Sequence, residues 1–389
     1  MSYVVGGLRL DRPFRIRRIG HFGHHCEDIS ATVEFMAQRL GLIPSDHYDA
    51  TARFPQLSKA DATGWFFRCN TDHHSFVVAS QKLNDTMEPQ RKGELVNQLS
   101  WQIGSLQEVA NAIDYLDKKA RLRRVGRDCP GSNWHSYTYD PDGYVNEVYY
   151  AMEQIGWEGN SKPIHFYERG FKTRPPLPQI PEFAEVDEAI SSGIALDTGF
   201  HWAETGKPVY DVEGIMMPRP FRLTRLGRIM LFVSELERSI GFYRDVLGLS
   251  VSERLDVAGR ECAFLRAENE HHTLALVPAS LRDRLGISAA YGVAVATYQQ
   301  LKDAYAYLKD AGAKILELPP ELSPGVRYGF WVQGPDPVAV QIYYGMDCVA
   351  PDGSLLAKGR NPIGPQAWPA TIEHGGARWF DPPFLGPLS

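Results

Sequence analysis

The sequence predicts an α+β fold of four tandem βαβββ modules, paired into two halves, each half an open cup-like β-barrel with helices outside. Three observations predict it. The chain repeats itself at long range, each repeat passes from strand-like alternation to helical periodicity, and the repeats close on strand–turn–strand hairpins.

The repeat is seen by laying RRIGHFGHHCEDISATVEFMAQRLGL, from Arg17, over TRLGRIMLFVSELERSIGFYRDVLGL, from Thr224. Both stretches open with an alternating run. Both then place an acidic residue, Asp28 or Glu235, before a helical pattern carrying Val33 and Phe35 or Ile240 and Phe242. Both end in Leu-Gly-Leu, where glycine suits a helix C-cap. Next, WFFRCNTDHHSFVVAS matches AFLRAENEHHTLALVP, strands that carry a His-His pair. NQLSWQIGSLQEVANAIDYLDKKA then matches YGVAVATYQQLKDAYAYLKDAGAK, a strand followed by an amphipathic helix. Last, SYTYDPDGYVNEVYYAM matches GFWVQGPDPVAVQIYYGMD, two strands about a tight turn. The modules fall near residues 14–82, 93–153, 221–279 and 287–347. The expected division is therefore a half at 1–153, an ordered arm at 154–220, a half at 221–347 and a tail at 348–389. Arm and tail are rich in Pro, Gly and aromatics, a composition suited to sealing a cleft or making contacts in a homo-oligomer.

Composition narrows the class of function. The 389 residues carry a net charge of -6, with 43% hydrophobic and 23% charged residues, as in an ordinary globular protein. Neither nucleic acid nor membrane is an expected partner, because no basic excess and no bilayer-length apolar run is present. The N-terminus lacks the pattern of a secretory signal, so a cytoplasmic location is expected. The cysteines, Cys26, Cys69, Cys129, Cys262 and Cys348, are odd in number and widely spaced. They read as buried small hydrophobes rather than a disulfide or zinc framework.

Paired βαβββ modules, the segment GRDCPGSNWHSYTYDPDGYVNEVYY and the strand CNTDHHSF together resemble the vicinal oxygen chelate superfamily, and within it the type I extradiol ring-cleaving dioxygenases. The resemblance covers both halves but not the arm or the tail. It implies Fe(II), or alternatively Mn(II) or another divalent metal, held by two His and one Glu with positions left open for a catechol-like aromatic substrate and O2. Carried over residue by residue, His21 takes the first ligand position and Glu147 the last. Gln98, in Asn97-Gln98-Leu99, stands where a histidine is expected, and a neutral amide oxygen is a weaker ligand for iron than an imidazole. His73 matches the acid/base histidine, with His74 beside it. Tyr137 matches the tyrosine that hydrogen-bonds a substrate oxygen. Asp128 replaces a histidine, and His135, two residues before Tyr137 on the same strand face, is positioned to substitute for it. In the second half Arg228, Gly292 and Gln341 stand at the three ligand positions, and an arginine cannot ligate a cation. The family's two-domain members usually carry the metal in the C-terminal half, so here the halves exchange roles.

Plainer readings stand beside these. His21, His24 and His25 form a dense cluster that hydrogen bonding alone could explain. The pair His271-His272 shows that the double histidine persists in a half without ligands. Asp140–Gly143 reads as a tight turn and no more. Trp65, Phe66, Phe67 and Trp101 suit a core, although Trp101 shares a strand with Gln98 and is a candidate for contact with a substrate, as is His74. Two other functions stay open: an isomerase, lyase or hydrolase using a redox-inert divalent metal, which Gln98 favours, and a metal-free binding protein of the bleomycin-resistance type.

Overall fold

The computed structural model describes residues 2–127, 130–131, 134–156, 158–166, 174–350, 353–355 and 361–372. Alternating apolar residues fold the first half into a hairpin, β1 (Tyr3–Val5) and β2 (Leu8–Leu10), followed by eight strands. These are β3 (Ile16–Cys26), β4 (Ile43–Asp49), β5 (Thr63–Arg68), β6 (Phe76–Ser80), β7 (Val96–Ile103), β8 (Arg121–Gly126), β9 (His135–Tyr139) and β10 (Val145–Tyr149). Helix α1 (Ile29–Glu34), widening into a looser turn through Arg39, joins β3 to β4, and α2 (Gln81–Met87) follows β6. Helix α3 (Leu106–Lys119) joins β7 to β8. Each connection is the strand–helix–three-strand module expected.

The eight strands form one mixed sheet in the order β4-β5-β6-β3-β7-β10-β9-β8. β3 and β7 meet antiparallel at its centre, while β3–β6 and β7–β10 run parallel. The sheet is open, with β4 and β8 as its edges, in line with the open cup expected. The second half repeats the pattern. It has a hairpin, β11 (Tyr210–Val212) and β12 (Ile215–Met217), and strands β13 (Leu223–Val233), β14 (Ser250–Val257), β15 (Arg260–Arg266), β16 (Leu274–Pro278), β17 (Ala289–Val295), β18 (Ile315–Leu316), β19 (Val326–Gln333) and β20 (Val338–Met346). Their order, β14-β15-β16-β13-β17-β20-β19-β18, is the same. The repeat thus reaches further out than Arg17 and Thr224, since Arg-Pro-Phe follows the hairpin in both halves, at Arg12–Phe14 and Arg219–Phe221. Between the halves, the arm contributes α4 (Glu182–Ser191). In the second half lie α5 (Leu236–Gly241), α6 (Arg282–Leu285) and α7 (Tyr298–Asp310).

Local signals set the helix ends. Asp28, Ser105 and Thr297 each accept a backbone N–H three residues on, the N-cap arrangement. At the Leu-Gly-Leu ends, Gly41 and Gly248 sit at φ of 74° and 89°, where a side chain is strained. A Cβ at either would also strike an arginine of the opposite half, Arg219 on Gly41 and Arg12 on Gly248. One apolar core runs through both halves, with Phe22 and Phe76 against Tyr291 at the junction.

The hairpin turns complete the junction. Asp142 accepts Ser234 N–H and Ser239 O–H, each at 2.8 Å. Asp336, in the matching turn, accepts Glu27 N–H at 3.0 Å and Thr32 O–H at 3.2 Å. Each half therefore holds the first helix of the other by one turn carboxylate. Asp140–Gly143 was expected to be only a turn; it is a turn and also half of this clasp.

Candidate metal centre

Three donor atoms converge inside the first sheet. His21 projects from β3, Gln98 from β7 and Glu147 from β10, and the two ionisable groups are at most 1% exposed. His21 Nε2 lies 2.9 Å from Glu147 Oε2, Gln98 Nε2 lies 2.9 Å from His21 Nε2, and Gln98 Nε2 lies 3.0 Å from Glu147 Oε2. The strand registers cause this convergence, because Ser100 on β7 is the cross-strand partner of both His21 and Glu147. Gln98 lies two residues before Ser100, on the same face. Metal–ligand bonds of about 2.1 Å at right angles separate neighbouring donors by roughly 3.0 Å, so this triangle has the dimensions of one face of an octahedron. An amide presents oxygen or nitrogen by a half-turn of the group, so Gln98 can offer its oxygen to a cation. Among the described residues no three His, Cys, Asp or Glu side chains form such a set; the amide completes it.

Polar neighbours surround the triangle. Ser100 Oγ donates to Glu147 Oε2 at 2.6 Å, whereas Glu147 Oε1 accepts no hydrogen bond among the described residues and faces His135 Nδ1 at 3.5 Å. Burial pushes the Glu147 carboxyl up, but His21, His135 and the Ser100 hydroxyl outweigh it and hold it at about 2. An ionised, fully buried carboxylate with a free oxygen is what a cation site requires. Tyr137 is the direct cross-strand partner of Glu147, and its ring lies 4.8 Å from that of His135. The Arg124 guanidinium covers the other side of the Tyr137 ring at 4.6 Å.

The double histidine sits the other way round from the expectation. His74, not His73, faces the triangle, with its ring 4.4 Å from that of His21. Burial, reinforced by His21 and His73, pushes His74 well below the ordinary imidazole value and leaves it neutral at pH 7. His73 stands behind it, Nδ1 to Nδ1 at 2.9 Å, and its Nε2 lies 3.7 Å from Asp46 Oδ2. Gly131 makes this possible: its φ is 69°, and a Cβ there would lie 2.0 Å from His73 Cγ. The arm reaches the same place. Ser161 Oγ donates to Asp46 at 3.3 Å, and Arg127 binds Glu185 of α4 through two bonds of 2.8 and 3.0 Å.

Other candidates lie elsewhere. Trp101 is fully buried, on the face of β7 opposite Gln98 and Ser100, and its indole N–H donates to Asn146 at 2.9 Å. It belongs to the core and not to a substrate wall, because an odd position on a strand faces away from its even neighbours. His25 spends both ring nitrogens on Glu94 O and Asn97, and His24 stacks on Phe22 and Tyr291 at the junction. Asp128 and Cys129 lie outside the described residues. Ser100 and Asp46 were not anticipated. Ser100 was within reach of the period-two rule, whereas Asp46 comes from a distant strand with no motif of its own.

Among its described residues the second half contains no such triangle. Arg228 pairs across strands with Gly292, and Gly292 with Gln341. Gly292 is therefore the counterpart of Ser100, and Ala290 that of Gln98, two residues from the alignment made on sequence. The His271 and His272 Nδ1 atoms are 3.0 Å apart, with His271 Nε2 at 3.0 Å from Glu253 Oε2, which reproduces the His73–His74–Asp46 arrangement without ligands.

Comparison with known proteins agrees with this architecture. Residues 18–148 and 225–342, more than half of the chain, match the family model described as Glyoxalase/Bleomycin resistance protein/Dioxygenase superfamily. A 2,2',3-trihydroxybiphenyl dioxygenase of Sphingomonas paucimobilis is 27% identical over 120 residues, which are 31% of this chain and 41% of that enzyme's length. Among solved structures, homoprotocatechuate 2,3-dioxygenase of Arthrobacter globiformis superposes with a TM-score of 0.54 at 15% identity, over 91% of this chain and 86% of that one. A Mn(II)-bound glyoxalase of Novosphingobium aromaticivorans superposes with a TM-score of 0.53 at 16% identity, over 93% and 97%. At these identities the structures speak for the fold. Matched in both halves by one family model and built of four βαβββ modules, the chain belongs to the glyoxalase/bleomycin resistance protein/dioxygenase superfamily.

Proposed function

We propose that the chain is a metal-dependent extradiol-type dioxygenase that cleaves a catechol-like aromatic with O2. The observation that carries this reading is the buried triangle of His21, Gln98 and Glu147, whose edges fit three adjacent ligands of one ion. These residues would hold Fe(II), with Mn(II) or another divalent metal as the alternative. Such an ion would supply joint binding of the two vicinal oxygens of the substrate and of O2.

The remaining work falls to the chain. His74, neutral and against His21, is the group placed to take and return a proton at a substrate oxygen, the task expected of His73. His73 and Asp46 fix the tilt of its ring from behind. The Tyr137 hydroxyl orients the substrate, and His135 beside Glu147 Oε1 supplies the imidazole absent at position 128. The arm, tied to Asp46 and Arg127, shields the centre from water. Exposed Ile180, Phe183 and Ile190 on the arm support assembly into a homo-oligomer, which light scattering reads directly.

The first test is elemental analysis after anaerobic preparation with Fe(II), on wild type and His21→Ala. About one iron per chain, lost in the variant, together with oxygen uptake on a catechol panel, is the expected result. Absence of metal from both proteins would sink the proposal and favour the ligand-binding reading, for which Glu147→Ala would bind as wild type does. Gln98 supports a second reading, a redox-inert metal enzyme, and Mn, Ni or Zn retained without oxygen uptake would establish it.

A further inference from the structure

The two cups are built alike but differ in charge. In the second half Arg228 replaces His21, Gln341 replaces Glu147 and His272 replaces His74. Arg228 is fully buried and its Nη2 donates to Leu322 O at 2.8 Å; among the described residues Nε and Nη1 have no acceptor. Gln341 donates to Ser323 Oγ at 2.9 Å and leaves Oε1 unpartnered, and His272 leaves Nε2 unpartnered. The register sets Arg228 and Gln341 on either side of Gly292, so these two side chains are cross-strand neighbours on one face.

A guanidinium buried without a counter-charge is strongly destabilising, and buried polar groups without partners are rare. The Trp331 ring, 5.3 Å from the guanidinium, offers a π face but no acceptor for its N–H groups. Burial pushes Arg228 down to about 9, and the neighbour that offsets this is the phenol of Tyr343 rather than a carboxylate. In the first half a carboxylate awaits a cation; here a cation lacks its carboxylate.

We propose that the second cup holds one small monovalent anion, of the size of chloride or formate, bound by the Arg228 guanidinium. A half-turn of the Gln341 amide, with Ser323 donating in return, adds a second donor group. One guanidinium balances one negative charge, so a dianion is disfavoured, and the buried setting excludes large anions. Water would satisfy an N–H but not the charge.

The test is thermal unfolding of the full chain at constant ionic strength, with chloride replacing gluconate, on wild type, Arg228→Met and Gln341→Glu. Wild type is expected to gain stability saturably with chloride, formate to act likewise and sulfate to have no such effect. Arg228→Met removes the cation and Gln341→Glu supplies an internal carboxylate, so in both the apparent chloride affinity falls at least tenfold. Gln341→Glu also melts higher than wild type without chloride. An insensitive wild type, equal chloride responses in all three proteins, or a sulfate response equal to that of chloride would overturn the proposal. Should Arg228→Met fail to fold, Gln341→Glu decides alone.

Discussion

Substituting Asp142 by alanine tests how the second half supports the first. The carboxylate accepts two hydrogen bonds at 2.8 Å from the other half, Ser234 N–H at an exposed position and the O–H of Ser239, which is itself buried. Bonds to a charged acceptor contribute about 1.5–3 kcal/mol each when shielded and less when wet, so losing both is expected to cost roughly 2–4 kcal/mol. Asp142→Asn keeps one neutral acceptor and should cost about half as much. The consequence is not confined to the junction. The same turn joins β9 to β10, and these strands carry His135, Tyr137 and Glu147. Urea unfolding gives the stability, and amide exchange at Ser234 and along β10 shows whether the hairpin loosens. A loss below about 0.5 kcal/mol would refute the assignment of the turn as a clasp. So would a loss with unchanged exchange on β10, because the turn would then not hold the strand that bears Glu147.

Three further outcomes follow from the geometry. Gln98→His supplies an imidazole in place of an amide, so iron retained after gel filtration should rise; unchanged or lower iron would remove Gln98 from the ligand set. Asp140 is buried where it accepts the Tyr243 O–H at 2.9 Å, and burial raises its carboxyl to about 7. Its folded value lies above its unfolded one, so its favourable contribution is complete near pH 4 and is lost as pH rises through 7. Relative to Asp140→Asn, wild type should therefore weaken over that window by up to about 4 kcal/mol, and parallel stability curves for the two proteins would exclude the effect. Glu185→Gln breaks the paired bonds from Arg127 and should speed proteolysis within the arm; wild-type cleavage rates would show that this pair does not hold α4.

Much of the fold was legible because it is written twice. Alternation, the acidic residue before each first helix and Leu-Gly-Leu recur in register, and a βαβββ module is what that order of signals can build. The outer hairpins escaped notice because Tyr3–Leu10 and Tyr210–Met217 share pattern but little identity. Of the centre, His21 and Glu147 were legible through the family resemblance and the buried setting of β10. Which histidine of a pair faces inward was not. The strand β6 begins at Phe76, so His73 and His74 lie in the preceding loop, where period-two reasoning has no hold. Trp101 is the opposite case: it lies within a regular strand, and strict alternation from Gln98 would have sent it to the core.

The repeat also explains why the two cups diverged in chemistry while keeping one scaffold. Besides the shared apolar core, the halves are joined through turn carboxylates, helix starts and the arginines at Gly41 and Gly248, and His21, Gln98, Glu147, Arg228 and Gln341 are not among the residues that make these contacts. The paired imidazoles and their carboxylate, His73, His74 and Asp46 or His271, His272 and Glu253, are likewise present with and without a ligand triangle. That persistence supports a scaffold role for the pair, to which the proposed function adds proton chemistry only where His21, Gln98 and Glu147 stand opposite. A chimera carrying Arg228→His, Ala290→Gln and Gln341→Glu in the second cup therefore separates scaffold from chemistry. Because Ala290, not Gly292, is the repeat counterpart of Gln98, this set should gain a divalent metal, while the same set built with Gly292→Gln should not. Metal in the Gly292→Gln protein alone would show that the strand register, on which the whole centre has been argued, is wrong.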